Sequence, residues 1–317
     1  MRRFHLLSSL LFLCFLIGAA KAQPFPVSVD SCGETLTFSA PPKAAVFHDM
    51  NMTEMGLELG LHQHIIAVTG VTGWYKMTPE FKRALGNIPE IVPRKPSLEN
   101  ILSVQPDFFF AGWNYGMSVG GDVTPTTLKK YGIPTLVLTE SCIHIDKNRP
   151  RASMELLYGD FLKLGRIFGK EQVARTKIAG WKARLAALPK PAGKKLPRVF
   201  LHDSGSDKIL TAGKYAMPTA LIEAAGGRNI MDDLETSWGY VSWEAVAERD
   251  PDFLILLDYP NDGGAEKLFR QLQAHPLMKH NAAVKNRRFI GLRYEELTPG
   301  PSNIVAIEKL AKALARP

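Results

Sequence analysis

Two histidine–aspartate pairs head the residues whose types and spacing could do chemistry. His48-Asp49 and His202-Asp203 each close a short apolar run, Val46-Phe47 and Phe200-Leu201. Imidazole and carboxylate together could hold a metal ion or fill an open position on a chelated one. The plainer alternative is that both pairs bond to neighbouring loop backbone. A second set is aromatic: Trp74, Tyr75, Trp113, Tyr115, Trp238, Tyr240 and Tyr259 stand in or beside loops, most of them next to glycine. Rings gathered in this way suit a large, flat or rounded ligand that needs contact area and few directed bonds. Lys76, Arg94, Lys95, Lys214 and Arg293 could answer negative charge on such a ligand, or could each be an ordinary solvated cation.

Other chemistries find little support. The chain carries no GxxxxGK[ST] or GxGxxG sequence for nucleotide phosphates, and its cysteines are too few to ligate an iron–sulfur cluster. His62, His64, His144, His275 and His280 are scattered, unlike the compact histidine cluster of a free-metal site. An enzyme is not expected, and no cofactor is called for.

The elements that must position these residues come in two copies. Residues 97–112 read SLENILSVQPDFFFAG and residues 242–257 read SWEAVAERDPDFLILL, so Ser97, Glu99, Pro106, Asp107 and Phe108 fall on Ser242, Glu244, Pro251, Asp252 and Phe253 at a constant spacing of 145. In each copy a serine caps a short helix, a glutamate sits in its positive first turn, and a proline stops it. The apolar runs that follow read as strands buried on both faces, as in a parallel sheet covered by helices. The expectation is an α/β protein of two Rossmann-like lobes. Between them, residues 151–188 form the one long helical tract, in whose second part Ala174, Ile178, Trp181, Leu185 and Leu188 mark a single face. This tract is expected to join the lobes as one long rigid helix, and the carboxyl ends of the strands are where open α/β sheets bind ligands. The boundaries drawn are 1–22 for a leader, 23–148 for the amino-terminal lobe, 149–190 for the helical connector and 191–317 for the carboxy-terminal lobe.

The leader has the marks of a signal peptide. Arg2 and Arg3 precede an apolar run from Leu6 to Ala20, and Ala20-Lys21-Ala22 gives the small-x-small pattern of a cleavage site before Gln23. The run is shorter than the roughly 18 to 20 residues that span a bilayer. Cleavage after Ala22 takes Arg2, Arg3 and Lys21 out of a net charge that is +8 over the whole chain, and leaves a mild basic excess. Those charges are interspersed with acids, so nucleic acid is not an expected partner. Of the mature cysteines, Cys32 and Cys142 are expected to pair in an oxidising compartment, closing a loop worth roughly 4 to 5 kcal/mol in the chain-entropy model.

The signal peptide, the twice-used Ser-x-Glu helix with Pro-Asp and a buried strand, the connecting helix, and stretches such as LGRIFG (164–169) and LIEAAGGRNI (221–230) together resemble the periplasmic binding proteins of ABC importers. The resemblance runs over residues 27–315 and is closest to the cluster that captures ferric siderophores, haem and vitamin B12. It implies a ligand cleft between the two lobes, and a monomeric periplasmic receptor that carries a bulky metal chelate to an inner-membrane ABC permease. It also implies that Glu99 and Glu244, one on each lobe, dock against arginines of that permease. A ferric siderophore is the expected ligand, and the alternatives are a corrinoid such as cobalamin, haem, or a free metal. Tyr75, Trp113 and Trp238 resemble the aromatic positions of a vitamin B12 site, whereas Pro93 stands where a further tryptophan of that site would be.

Overall fold

The computed structural model describes residues 24–73, 77–189, 195–259 and 263–315. The chain enters through an antiparallel hairpin, β1 (Val27–Ser31) and β2 (Glu34–Phe38), which turns at Cys32 and Gly33. It then alternates: β3 (Ala45–His48), α1 (Met50–Glu58), β4 (Ile65–Thr69), α2 (Pro79–Leu85), β5 (Glu90–Val92), α3 (Leu98–Ser103) and β6 (Phe108–Trp113). The short β7 (Gly116–Met117), α4 (Pro125–Lys129), β8 (Thr135–Val137) and a 3-10 turn over Thr139–His144 complete this half. The strands are parallel, in the order β5-β4-β3-β6-β8, with β7 beside the end of β6. Every residue of β3 and β6 is buried, which is what a strand covered by helices on both faces requires.

Two helices follow, α5 (Met154–Ile167) and α6 (Glu171–Ala186), and then the pattern restarts. Here β9 (Arg198–His202), β10 (Ile209–Ala212), α7 (Met217–Ala224), β11 (Arg228–Asn229), β12 (Trp238–Val241), α8 (Trp243–Arg249) and β13 (Phe253–Leu257) lead to α9 (Gly264–Ala274), α10 (Ala282–Lys285), β14 (Phe289–Leu292), α11 (Tyr294–Leu297) and α12 (Asn303–Leu314). The second parallel sheet runs β11-β9-β13-β14, while β10 and β12 form a separate antiparallel pair. Strand for strand, β11, β9, β13 and β14 repeat β4, β3, β6 and β8. The two-lobed α/β expectation holds.

The repeated residues explain why the halves match. Ser97 Oγ accepts from the Asn100 amide at 3.1 Å, and Ser242 Oγ accepts from the Ala245 amide at 3.3 Å, so both serines cap their helices. The aspartate of each Pro-Asp step fastens the neighbouring strand. Asp107 accepts from the Lys43 and Ala44 amides at 2.7 and 2.9 Å, just ahead of β3, and Asp252 accepts from the Arg198 amide at 2.8 Å, at the start of β9.

The connector departs from the expected single helix. Gly169 has φ +67°, a left-handed conformation that ends α5 and lets α6 fold back along it. A Cβ on Gly165 would lie 2.7 Å from the Ala174 Cβ, so glycine there permits the close crossing. Trp181 of α6 packs 4.7 Å from the Phe161 ring of α5. The apolar face read from the sequence is therefore real, but it closes a helical hairpin. Helix α5 packs against β1, α1 and α7, touching both halves, and one apolar core runs from Val27 through α5 to Leu314. Cys32 and Cys142 are joined, with their Cα atoms 5.5 Å apart, tying the entry hairpin to the turn after β8. Among the described residues no helix is long and apolar enough to cross a membrane. Residues 1–22, the expected leader, lie outside the described residues.

Candidate functional site

A cleft of about 1140 Å³ lies between the two halves. Its walls are strand ends: His48 closes β3, Gly70 follows β4, Asn114 follows β6, Asp203 follows β9, and Tyr259 and Tyr294 follow β13 and β14. Side chains delivered this way stand on rigid elements and converge on one space. Arg94 and Lys95 from the loop after β5, and Lys267 and Gln271 from α9, complete a mixed-charge lining. Lys95 Nζ is held 3.2 Å from Ser118 Oγ.

The floor is built around His48. Its Nδ1 shares a 2.8 Å hydrogen bond with Thr69 Oγ1, and its ring lies against two glycines, Gly70 and Gly116. A Cβ on Gly116 would lie 2.6 Å from the ring's Cγ, and one on Gly70 would lie 2.9 Å from Nε2, so only glycine allows the ring its place. Both glycines also have positive φ, +75° and +90°. Asp49 caps α1: its Oδ1 accepts from the Met50 amide at 2.8 Å, and its Oδ2 accepts from the Tyr294 hydroxyl, also at 2.8 Å, across the two halves. Burial pushes the Tyr259 and Tyr294 phenols up, so both remain neutral donors at physiological pH.

Beneath the cleft run further cross-half bonds. Trp238 Nε1 donates to the Tyr115 oxygen at 3.0 Å, and the Tyr115 and Ser237 hydroxyls lie 3.4 and 2.7 Å from Glu140 Oε1. Alongside, Asn51 Nδ2 donates to the Pro299 carbonyl at 2.8 Å and Ser302 Oγ donates to Glu54 at 2.9 Å. Burial raises Glu140 to about 7 and Glu54 to about 8.

The residues singled out in the sequence are thus distributed. His48, Asp49, Asp203, Tyr259, Arg94 and Lys95 line the cleft. The mirrored pairs diverge, because His202 is fully buried against the Trp243 ring at 5.4 Å, its Nε2 is 3.3 Å from the Gly205 carbonyl, and burial lowers it to about 4. Among the described residues no three His, Cys, Asp or Glu side chains gather as a metal-ligand set. Trp113 is packed with Val123 and Cys142 in the core of the first half. Tyr115 and Trp238 meet each other below the cleft, and Tyr240 is 68% exposed on β12. The Arg293 guanidinium lies 2.8 Å from Glu295, and Lys214 pairs with Glu235 at 2.6 Å. Trp74, Tyr75 and Lys76 lie outside the described residues.

Glu99 and Glu244 are both exposed, each in the first turn of its helix, α3 or α8. The carboxyl of Glu244 is held below the usual range by its own backbone amide and the Ser242 hydroxyl. Sequence reasoning missed Tyr294, Lys267 and Gln271. The spacing of the last two at i and i+4 on α9 is the one signal that could have placed them together. The letters Gly-x-Ser-x-Gly occur at 116–120, but Ser118 follows the two-residue β7, enters a turn and bonds Lys95, without the strand-turn-helix setting of a nucleophile.

A family model described as periplasmic binding protein matches residues 48–295. A cobalamin-binding protein of Halobacterium salinarum is 25% identical over 75% of this chain, and the match spans 60% of that relative's length. A vitamin B12-binding protein of Vibrio vulnificus is 24% identical over 87% of this chain and 92% of its own. Among solved structures, a periplasmic binding protein from Veillonella parvula superposes with a TM-score of 0.78 at 26% identity, covering 90% of this chain and 96% of that one.

Proposed function

Because the chain belongs to the periplasmic binding protein family, we propose that it is the substrate-binding component of an ABC importer, taking up a ferric siderophore in the periplasm and delivering it to an inner-membrane permease. The observation that carries this reading is the cleft, large enough for a chelate and lined from both halves by charged and phenolic groups. Arg94, Lys95 and Lys267 supply positive charge around a polar floor of His48, Asp49 and Asp203, which suits an anionic or strongly polar chelate. Tyr259 and Tyr294 supply apolar area with a donor at the tip. Trp74 and Tyr75, which follow β4 in the sequence and lie outside the described residues, are proposed as further ligand contacts.

Glu99 and Glu244 are proposed as the docking carboxylates. They project from equivalent positions on the two halves, and a pair of negative corners at fixed separation fits a partner with two-fold symmetry. The second reading is a corrinoid ligand, favoured by the cobalamin-binding and vitamin B12-binding relatives. Titration of the purified protein with a ferric hydroxamate, a ferric catecholate and cyanocobalamin, followed by tryptophan fluorescence, separates the readings. Saturable binding of a ferric chelate that cyanocobalamin does not displace supports the siderophore. The reverse order of affinity supports the corrinoid, and binding of none of the three refutes chelate capture.

A further inference from the structure

The cross-half link beneath the cleft is assembled from groups that do not line the cleft. Glu140 is buried at 3% exposure in the 3-10 turn that follows β8. One of its oxygens, Oε1, carries both halves: the Ser237 hydroxyl reaches it from the carboxy-terminal half at 2.7 Å, and the Tyr115 hydroxyl from the amino-terminal half at 3.4 Å. Tyr115 in turn accepts from Trp238 Nε1 at 3.0 Å, so the link crosses the seam twice. The other oxygen, Oε2, is buried with no partner among the described residues. Apart from the Met217 amide that approaches it, the carboxyl has one well-bonded oxygen and one without a hydrogen bond of full geometry, an expensive way to hold two halves together unless its position matters. Tyr115 is also the neighbour of Gly116, whose backbone supports the His48 ring on the cleft floor. The link thus abuts the backbone that packs against a cleft-lining side chain.

We propose that Glu140 is the positioning residue of the seam, holding Ser237 and the Tyr115–Trp238 pair so that the two halves meet at the angle at which the cleft accepts its ligand. The residue touches no cleft space itself and acts through Tyr115 and Trp238. Its environment also makes the link sensitive to protons. Burial raises the Glu140 carboxyl to about 7, and the Ser237 hydroxyl, the Met217 amide and the Tyr115 hydroxyl oppose that rise. The charged group facing it is Asp160 of α5, which adds to the rise and is itself bonded to the Thr139 amide at 2.8 Å, with Lys163 Nζ 3.3 Å away. Asp49 faces Tyr115 from the cleft side and acts on its phenol. When Glu140 ionises, both oxygens carry charge and draw more strongly on Ser237, Tyr115 and the Met217 amide, and the bonds through Tyr115 to Trp238 rearrange.

The test follows the Trp238 indole N–H in ¹⁵N-labelled, ligand-free protein between about pH 5.5 and 8.5, a range that brackets the Glu140 value. Trp238→Phe identifies its resonance among the five tryptophans. The resonance is expected to move through one step near neutral pH in the wild type. Glu140→Gln, which keeps the shape and an acceptor oxygen, should abolish the step. Ser237→Ala, which removes a donor to the carboxylate, should displace it to higher pH. No step in the wild type, or an unchanged step in Glu140→Gln, overturns the proposal. A second arm rests on the functional reading: affinity for ferrioxamine B or cyanocobalamin, whichever binds, should fall about threefold or more from pH 6 to pH 8 in the wild type and stay level in Glu140→Gln. A Glu140→Gln protein that keeps the wild-type dependence overturns the proposal. If neither of these two chelates binds at either pH, the functional reading is decided by the three-chelate titration above, and the resonance titration alone decides the role of Glu140.

Discussion

Replacing Gly116 by alanine tests whether the cleft floor is held as described. The new methyl carbon would lie 2.6 Å from Cγ and 2.8 Å from Cδ2 of His48, closer than carbon atoms tolerate, at a residue whose φ is +90°. Two costs follow. The left-handed backbone costs an L-residue roughly 1 to 2 kcal/mol, and crowding a packed ring typically costs about 1 to 3 kcal/mol. The sum is about 2 to 5 kcal/mol, a fall of several degrees in melting temperature for a chain of this size. Only the crowding involves His48. In a His48→Ala background, Gly116→Ala should therefore lose that share and retain the backbone share, giving a coupling of about 1 to 3 kcal/mol in a double-mutant cycle. The assay is urea unfolding of the four proteins, followed by tryptophan fluorescence. Costs that add to within about 0.5 kcal/mol would refute the claim that Gly116 exists to seat His48. The single variant should also weaken chelate binding, because the displaced imidazole lies on the cleft floor.

Three further outcomes follow. Glu99→Arg and Glu244→Arg should each abolish uptake by cells while leaving chelate affinity of the purified protein within about twofold, since both side chains are exposed and outside the cleft; unimpaired uptake by the double variant would remove the docking assignment. Replacing Cys32 and Cys142 by serine should cost about 5 kcal/mol in the chain-entropy model for a loop of 110 residues, read as a fall in the urea midpoint that matches wild type under reductant. Stability should decline from about pH 6.5 to 8. Glu140 and Glu54 have folded values near 7 and 8 against 4.5 unfolded, so the folded state holds protons that the unfolded state gives up. Each carboxyl contributes up to about 1.4 kcal/mol per pH unit within its own window, and that contribution is lost as pH rises. His202, lowered to about 4, works oppositely but only below about 6.5. A flat profile from 6.5 to 8, or one unaltered by Glu54→Gln, would contradict the assignment.

Local spacing made much of the fold legible. The Ser-x-Glu…Pro-Asp stretch could be read twice because its capping and strand-fastening bonds are short in range, and each residue type has one evident physical use. His48, Asp49, Asp203 and Tyr259 were legible for the same reason, since each follows a buried strand whose end is fixed by its own sequence. The break at Gly169 was harder to see, because helical periodicity continues on both sides of it. What escaped was cross-half chemistry. Trp113, Tyr115 and Trp238 carry aromatic side chains that suit a ligand surface as well as a core, and only their partners separate the uses. Glu140, Glu54 and Asp160 have no spacing signal, because their partners lie up to 248 residues away in the chain. His202 repeats His48 in sequence but is sealed beneath Trp243, whose partner His275 belongs to a different helix end.

The most direct measurement is anomalous diffraction from crystals of the protein with a bound ferric chelate, locating the iron itself. Trapping of cargo between the halves predicts a single strong peak in the space bounded by His48, Asp203, Tyr259 and Tyr294, with Arg94 and Lys267 facing the chelate. Iron found on an outer face of either half, or no site at saturating chelate, would contradict it.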